Sequence, residues 1–161
     1  MTRPEGLRLH VFEVQGVWSG EGRRGELGLS GPQTVVVGVP AAFGGTVPAT
    51  NPEELLLASA LTCYLITLSR TLAQRQLHHL RVEATIVGEV SRGPEGLHFE
   101  RIRLRPLVRG AGEEGEGRER ILAALREAED ACFIARTLRP VIPYTLEPAF
   151  AEPPGPPAGD C

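Results

Sequence analysis

The sequence has no lysine, so all 17 of its positive side chains are arginine. It has one asparagine, Asn51, and two aspartates, Asp130 and Asp160. Without a lysine amine there is no Schiff-base chemistry, no pyridoxal phosphate anchor and no phosphate-loop lysine. Two aspartates and one asparagine cannot furnish the oxygen ligands of an EF-hand. No run of 18 consecutive apolar residues occurs, which predicts no membrane span. Met1-Thr2-Arg3-Pro4-Glu5 lacks the apolar core of a secretory signal, so a cytoplasmic protein is expected. The net charge of -3 comes with no basic stripe, which argues against a nucleic-acid partner.

What is present is enough for one domain: 161 residues, 42% hydrophobic and 23% charged. Leu7–Val14 alternates as a strand with Val17-Trp18 as its extension, and residues 19–25 read as a turn. Val35–Val39 is a β-branched strand. A Gly/Pro loop, residues 40–50, leads to a well-marked helix start. Asn51 is the expected N-cap, Pro52 takes the first helical position, and Glu54 stands three residues after the cap, as in a capping box. The helix is read to about Gln76. Its apolar residues between Leu55 and Leu68 lie on every face, so it is expected to be buried all round and too short for a bilayer. A hairpin over 80–90 and 97–108 follows, then a linker over 110–117. A second helix spans about 118–138, with an apolar stripe of Ile121, Leu125, Ala128, Cys132 and Ala135. Val141–Leu146 is a last strand. The expected class is α+β, with a single domain over 1–147 and a disordered Pro/Gly tail over 148–161.

Three cysteines in a chain without a secretory signal point to thiol or metal chemistry before a disulfide framework. Cys161 ends the tail and reads as a bystander. Cys63 and Cys132 each fall in a helix with a good apolar face, so both can be plain core residues. A functional thiol needs a cation nearby, and Arg23 or Arg24 at a Gly-rich turn could supply it. His78-His79 offers no metal-ligand spacing, and His10 and His98 fall on expected strands. Trp18 and Phe43 suit a core or an apolar pocket.

The segment Asn51-Pro52-Glu53-Glu54-Leu55, with Cys63 ten residues after Glu53, resembles the first-cysteine helix of the OsmC/Ohr family of osmotically inducible and organic hydroperoxide resistance proteins. Pro40-Ala41-Ala42-Phe43-Gly44-Gly45 is similar to the loop before that helix. Ala131-Cys132-Phe133-Ile134-Ala135-Arg136 stands in the place of the second cysteine motif, with Phe133 where much of the family has proline.

The resemblance covers about residues 8–147. It implies an OsmC-like fold as an intertwined homodimer with shared active sites. It also implies a thiol-dependent peroxidase acting on organic hydroperoxides or hydrogen peroxide. Cys63 would be the peroxidatic cysteine, Cys132 the resolving cysteine that closes a Cys63–Cys132 disulfide, and Glu53 the residue that holds the active-site arginine. Arg23 is favoured for that arginine, with Arg24 next. Phe43, Leu56 and Phe133 would line the substrate pocket. No metal or cofactor is implied; an external dithiol of lipoyl or thioredoxin type would reset the enzyme. A non-catalytic dimeric small-molecule-binding protein and a redox sensor on the same fold are the alternatives. Glu53 and Cys63 lie about 15 Å apart along a straight helix, so a shared arginine requires Glu53 to come from a partner subunit.

Overall fold

A computed structural model describes residues 9–19, 23–77, 79–110 and 116–151 of the chain. These fall into two compact units that divide at Leu55/Leu56. The fold is of the expected mixed α+β type.

The first unit is a three-stranded antiparallel meander of β1 (Gln15–Trp18), β2 (Arg24–Gly28) and β3 (Thr34–Gly38), in the order β1-β2-β3. The sequence reading placed the first strand over 7–14 and took residues 19–25 as a turn. Instead, residues 9–14 are not a strand, and β2 begins at Arg24. The missed strand, Arg-Gly-Glu-Leu-Gly, is short and has two glycines, so it carries almost no alternation to read. After β3 the chain turns through Ala41–Phe43. Gly44 ends that turn at φ 84, and Gly45 is required because a Cβ there would sit 1.7 Å from the Val39 carbonyl oxygen. Thr50 then returns alongside β3, accepting from the Gly38 N–H at 2.8 Å.

The helix α1 (Pro52–Gln74) starts as the sequence foretells. Asn51 Oδ1 accepts from the Glu54 N–H at 2.8 Å, and Leu55 N–H closes the first turn onto the Asn51 carbonyl at 3.0 Å. Only half of the capping box forms, because the Glu54 carboxylate accepts from the Thr50 hydroxyl at 2.7 Å. Two expectations for this helix are corrected. It is not buried all round: Ala60, Tyr64, Leu68, Thr71 and Leu72 are buried, while Ile66 is 68% exposed. Nor is it too short for a bilayer. Its 23 residues rise about 34 Å, and it is long and apolar enough to cross by length and composition, with a mean hydropathy of 1.5. Polar residues interrupt every long apolar run in this helix, but it carries so little charge that its average is still apolar enough.

In the second unit the expected hairpin forms as β4 (Arg81–Gly93) and β5 (Gly96–Arg109), with a bulge between Glu89 and Val90. Along β5 Ile102, Leu104, Pro106 and Val108 are buried, while Arg101, Arg105 and Arg109 face solvent. Those arginines form ion pairs with Glu89, Glu147 and Glu83, which accounts for several of the 17. Two short strands pair in parallel with β5: β6 (Tyr144–Leu146) on Ile102–Leu104, and β7 (Ala149–Phe150) on Leu107–Val108. Pro106, which has no N–H to offer, falls in the interruption between them. The strand β7 lies inside the stretch read as tail; residues 152–161, with Cys161, lie outside the described residues, as does His78.

The second helix is not continuous as expected. It splits into α2 (Glu116–Ala131) and α3 (Phe133–Leu138), with Cys132 extended between them at φ -67, ψ 108. The anticipated stripe of Ile121, Leu125, Ala128, Cys132 and Ala135 is nevertheless buried throughout. It packs with Tyr64, Leu68, Leu104 and Val108 into the core shared by α1, β5 and the α2–α3 pair.

Candidate active site

Cys63 lies on α1, half-buried, and its carbonyl accepts from the Thr67 hydroxyl at 2.8 Å. Cys132 is fully buried at the break between α2 and α3. Both are free thiols, they belong to one packed cluster, and they lie close enough to interact directly. The structure thus brings together the two cysteines that the sequence singles out.

The break at Cys132 is stabilised by Arg139. Its guanidinium pairs with the Glu129 carboxylate and donates to the Glu129 carbonyl at 3.0 Å, with Asp130 at 3.2 Å. That carbonyl also accepts from the Cys132 N–H at 3.3 Å, so the backbone groups loosened by the break have partners. Cys132 Sγ points at the Ala60 carbonyl of α1, 4.0 Å away. Burial is the main influence on its acidity, opposed by the amides of Ala135 and Ile134 and reinforced by Cys63; the thiol is pushed up to about 11. Cys132 is therefore a protonated thiol near neutral pH.

Two residues that sequence reasoning missed surround it. Tyr64 follows Cys63 on α1 and is fully buried; Tyr144 opens β6. They are the only tyrosines in the chain. Both hydroxyl oxygens are buried, and among the described residues neither has a hydrogen-bond partner. Burial pushes both phenols well above their ordinary range, and the nearby Glu129 and Cys132 reinforce it in each case. A tyrosine adjacent to a candidate thiol was a usable signal for Tyr64. Tyr144 lies 81 residues from Cys63 in sequence, and no local pattern links them.

The other expected site residues are placed as follows. Glu53 is half-buried on the first turn of α1, with Oε2 buried and, among the described residues, unpartnered. Arg24 pairs with Glu26 at 3.4 Å, and Arg23 is exposed at the left-handed φ of 54. Among the described residues neither arginine pairs with Glu53. Phe43 and Leu56 are half-buried, and Phe133, next to Cys132, is 63% exposed. Among the described residues no three His, Cys, Asp or Glu side chains gather as metal ligands.

Ser91, His98 and Glu100 have the composition of a hydrolase triad, but the geometry is unsuitable. The serine hydroxyl donates to Glu100 at 2.5 Å, His98 Nε2 lies 3.2 Å from the serine and 2.9 Å from Glu100, and His98 and Glu100 are exposed on the hairpin with Ser91 half-buried. The hydroxyl proton is directed at the Glu100 carboxylate and not at His98, so the imidazole is not poised to activate the serine.

Comparison with known proteins places these features in context. A family model described as OsmC-like protein matches residues 43–147, well over half of the chain. An uncharacterized protein of Bacillus subtilis (strain 168), YmaD, is 28% identical over 143 residues, covering 86% of this chain and 93% of its own. An OsmC-like protein of unknown function from Vibrio cholerae superposes with a TM-score of 0.71 at 16% identity, over 87% of this chain and 99% of that one. An organic hydroperoxide resistance protein from Legionella pneumophila gives 0.69 at 19% identity, over 89% and 99%. Another, from Elizabethkingia anophelis, gives 0.67 at 19%, over 88% and 99%.

Proposed function

The chain belongs to the OsmC-like protein family, and from that membership we propose that it is a thiol-dependent peroxidase that reduces organic hydroperoxides. The observation that carries this reading is the meeting of a half-exposed thiol, Cys63, with a fully buried one, Cys132, brought from separate elements into one cluster. The fold shared with two hydroperoxide resistance proteins supports it.

In the proposed cycle the Cys63 thiolate attacks the distal oxygen of the peroxide. The O–O bond breaks, the alcohol leaves after taking a proton, and Cys63 becomes a sulfenic acid. Cys132 condenses with it to form the disulfide and water. An external dithiol then reduces the disulfide by exchange and leaves oxidised. The deeply buried partner suits the resolving role, because it is shielded from peroxide while a sulfenic acid on its neighbour can reach it. An arginine, Arg23 or Arg24, would favour the thiolate and hold the peroxide oxygens, anchored by Glu53.

The proposal includes a homodimer. In a single chain Leu9, Val11, Phe12, Val14, Val17 and Trp18 are all exposed, and so is one face of α1. Among the described residues β1 pairs only with β2, which leaves its other edge open. So much apolar surface suits burial against a second copy. A second copy would also satisfy α1, whose buried face is already committed to the protein core. Glu53, unpartnered in one chain, would then meet an arginine of the site in the other.

The test is steady-state consumption of cumene hydroperoxide with dihydrolipoamide. Cys63→Ser is expected to reduce turnover to the buffer background. Cys132→Ser is expected to allow one reaction with peroxide and then accumulate sulfenic acid. Full activity in Cys63→Ser would end the proposal.

A further inference from the structure

Resting on the peroxidase reading, the resolving step needs a thiol held in place beside Cys63. Sulfenic acid and thiol become disulfide and water: an S–S bond forms, the Cys63 S–O bond breaks, and the Cys132 proton leaves in the water. The Cys132 Sγ lies 4.0 Å from the Ala60 carbonyl oxygen. That carbonyl points along α1 toward Tyr64, so the thiol sits against the turn that carries Cys63. Cys63 packs against the same cluster. Yet Cys132 is itself a pivot, the extended residue between two helices.

We propose that Arg139 is a positioning residue for disulfide formation, its guanidinium clasping α3 to the end of α2 so that the Cys132 thiol stays against α1. Residues 118–138 contain no glycine or proline, and their apolar stripe follows the helical repeat, so the local sequence favours one unbroken helix. In such a helix the Glu129 carbonyl would accept from the Phe133 N–H, four residues on. At the break it accepts instead from Arg139 Nη2 at 3.0 Å and from the Cys132 N–H at 3.3 Å. The guanidinium thus stands in for the helical hydrogen bond that the break gives up. The same fork pairs with the Glu129 carboxylate, a side chain only 13% exposed, and with Asp130 at 3.2 Å. The Arg139 N–H donates to the Ala135 carbonyl at 2.9 Å, so the clasp springs from a fixed end of α3. Both arms are anchored in the core, α2 by Ile121, Leu125 and Ala128 and α3 by Ala135. Straightening the segment would therefore shift the pivot, and Cys132 with it. Arginine suits the task because its planar fork of donors can hold two carboxylates and a carbonyl at once.

The test is a single turnover of the reduced full chain with cumene hydroperoxide. Sulfenic acid is trapped by dimedone, and disulfide is measured by intact mass. Arg139→Met keeps the length of the side chain and removes the clasp. It is expected to form sulfenic acid at the wild-type rate, with the disulfide step slowed about tenfold by the loss of charged hydrogen bonds. The reduction potential of the Cys63–Cys132 pair, measured in dithiothreitol buffers, should rise as well. The reduced variant can relax toward the unbroken helix, whereas the disulfide cannot. A tenfold loss in that equilibrium is about 30 mV for a two-electron couple. The control is Arg75→Met, which removes an ion pair to Glu127 of α2 away from the break. It should leave both rates within about twofold and the potential unchanged. Arg139→Lys keeps the charge but not the fork, so its disulfide step should slow only about threefold; it carries the test if Arg139→Met does not fold. A wild-type disulfide rate in the folded Arg139 variant, or an unchanged potential, overturns the proposal. So does equal slowing in Arg139→Met and Arg75→Met, the sign of a general loosening. Absence of a dimedone adduct on Cys63 in Cys132→Ser overturns the peroxidase reading itself, whereas the potential, read without peroxide, still tests Arg139.

Discussion

Replacing Asn51 with alanine tests whether the chain's single asparagine sets the helix that carries Cys63. The side chain satisfies the Glu54 N–H at 2.8 Å, and the residue is only 9% exposed. Losing an N-cap acceptor costs about 1 kcal/mol, rising to about 2 where water cannot reach the freed amide. The low exposure places Asn51 toward the upper figure. At about 2–4 °C per kcal/mol for a chain of this size, melting should fall by about 3–8 °C. The cap is one-sided, since the Glu54 carboxylate is engaged by Thr50, so no second bond adds to the loss. Thermal unfolding by circular dichroism is the assay. Asn51→Asp keeps the acceptor and adds a negative charge at the positive helix end, so it should match the wild type closely. Asn51→Gly should lose only a few tenths of a kcal/mol. Equal melting of the alanine and aspartate variants would refute the reasoning, as would an alanine loss under about 0.3 kcal/mol.

Two other predictions follow from packing and titration. Gly88→Ala would place a methyl 2.6 Å from the Phe99 ring and 3.1 Å from Leu57; overpacking should cost about 1–3 kcal/mol in urea unfolding, and a neutral result would mean that the ring can move aside. Because folding raises the Cys132 thiol from near 9 to about 11, the fold favours the neutral form. Its contribution to stability is then full below pH 9 and fades as pH rises toward 11. The stability gap between the reduced wild type and Cys132→Ala should therefore narrow across that window, and a constant gap would contradict the burial assigned to the thiol.

How far the sequence could be read depended on whether the determining signal was local. Asn51, Pro52 and Glu54 announce a helix start because capping is decided within four residues. The Ile121–Ala135 stripe announces a buried face because its spacing is the helical repeat. Cys63 and Cys132 were legible as a pair from two motifs whose joint spacing resembles a family pattern. The break at Cys132 was not legible: no glycine or proline marks it, and the Arg139 guanidinium that stabilises it stands seven residues further on. The exposed face of α1 was misread because an apolar composition does not say which face of a helix the chain's own core covers. Tyr144 was silent because its place in the core depends on β6 pairing with β5, a contact between segments some 40 residues apart.

The scarcity of tyrosine has a practical side. Both tyrosine rings lie around the same sulfur, and the single tryptophan, Trp18, belongs to the other compact unit. Ultraviolet signals from the two ring types therefore report on different parts of the molecule. Tyrosine absorbance and emission report on the core around Cys132, while the indole reports on the β1 surface. The protein thus carries two built-in optical probes, one in each compact unit, that can be followed in one cuvette without a label.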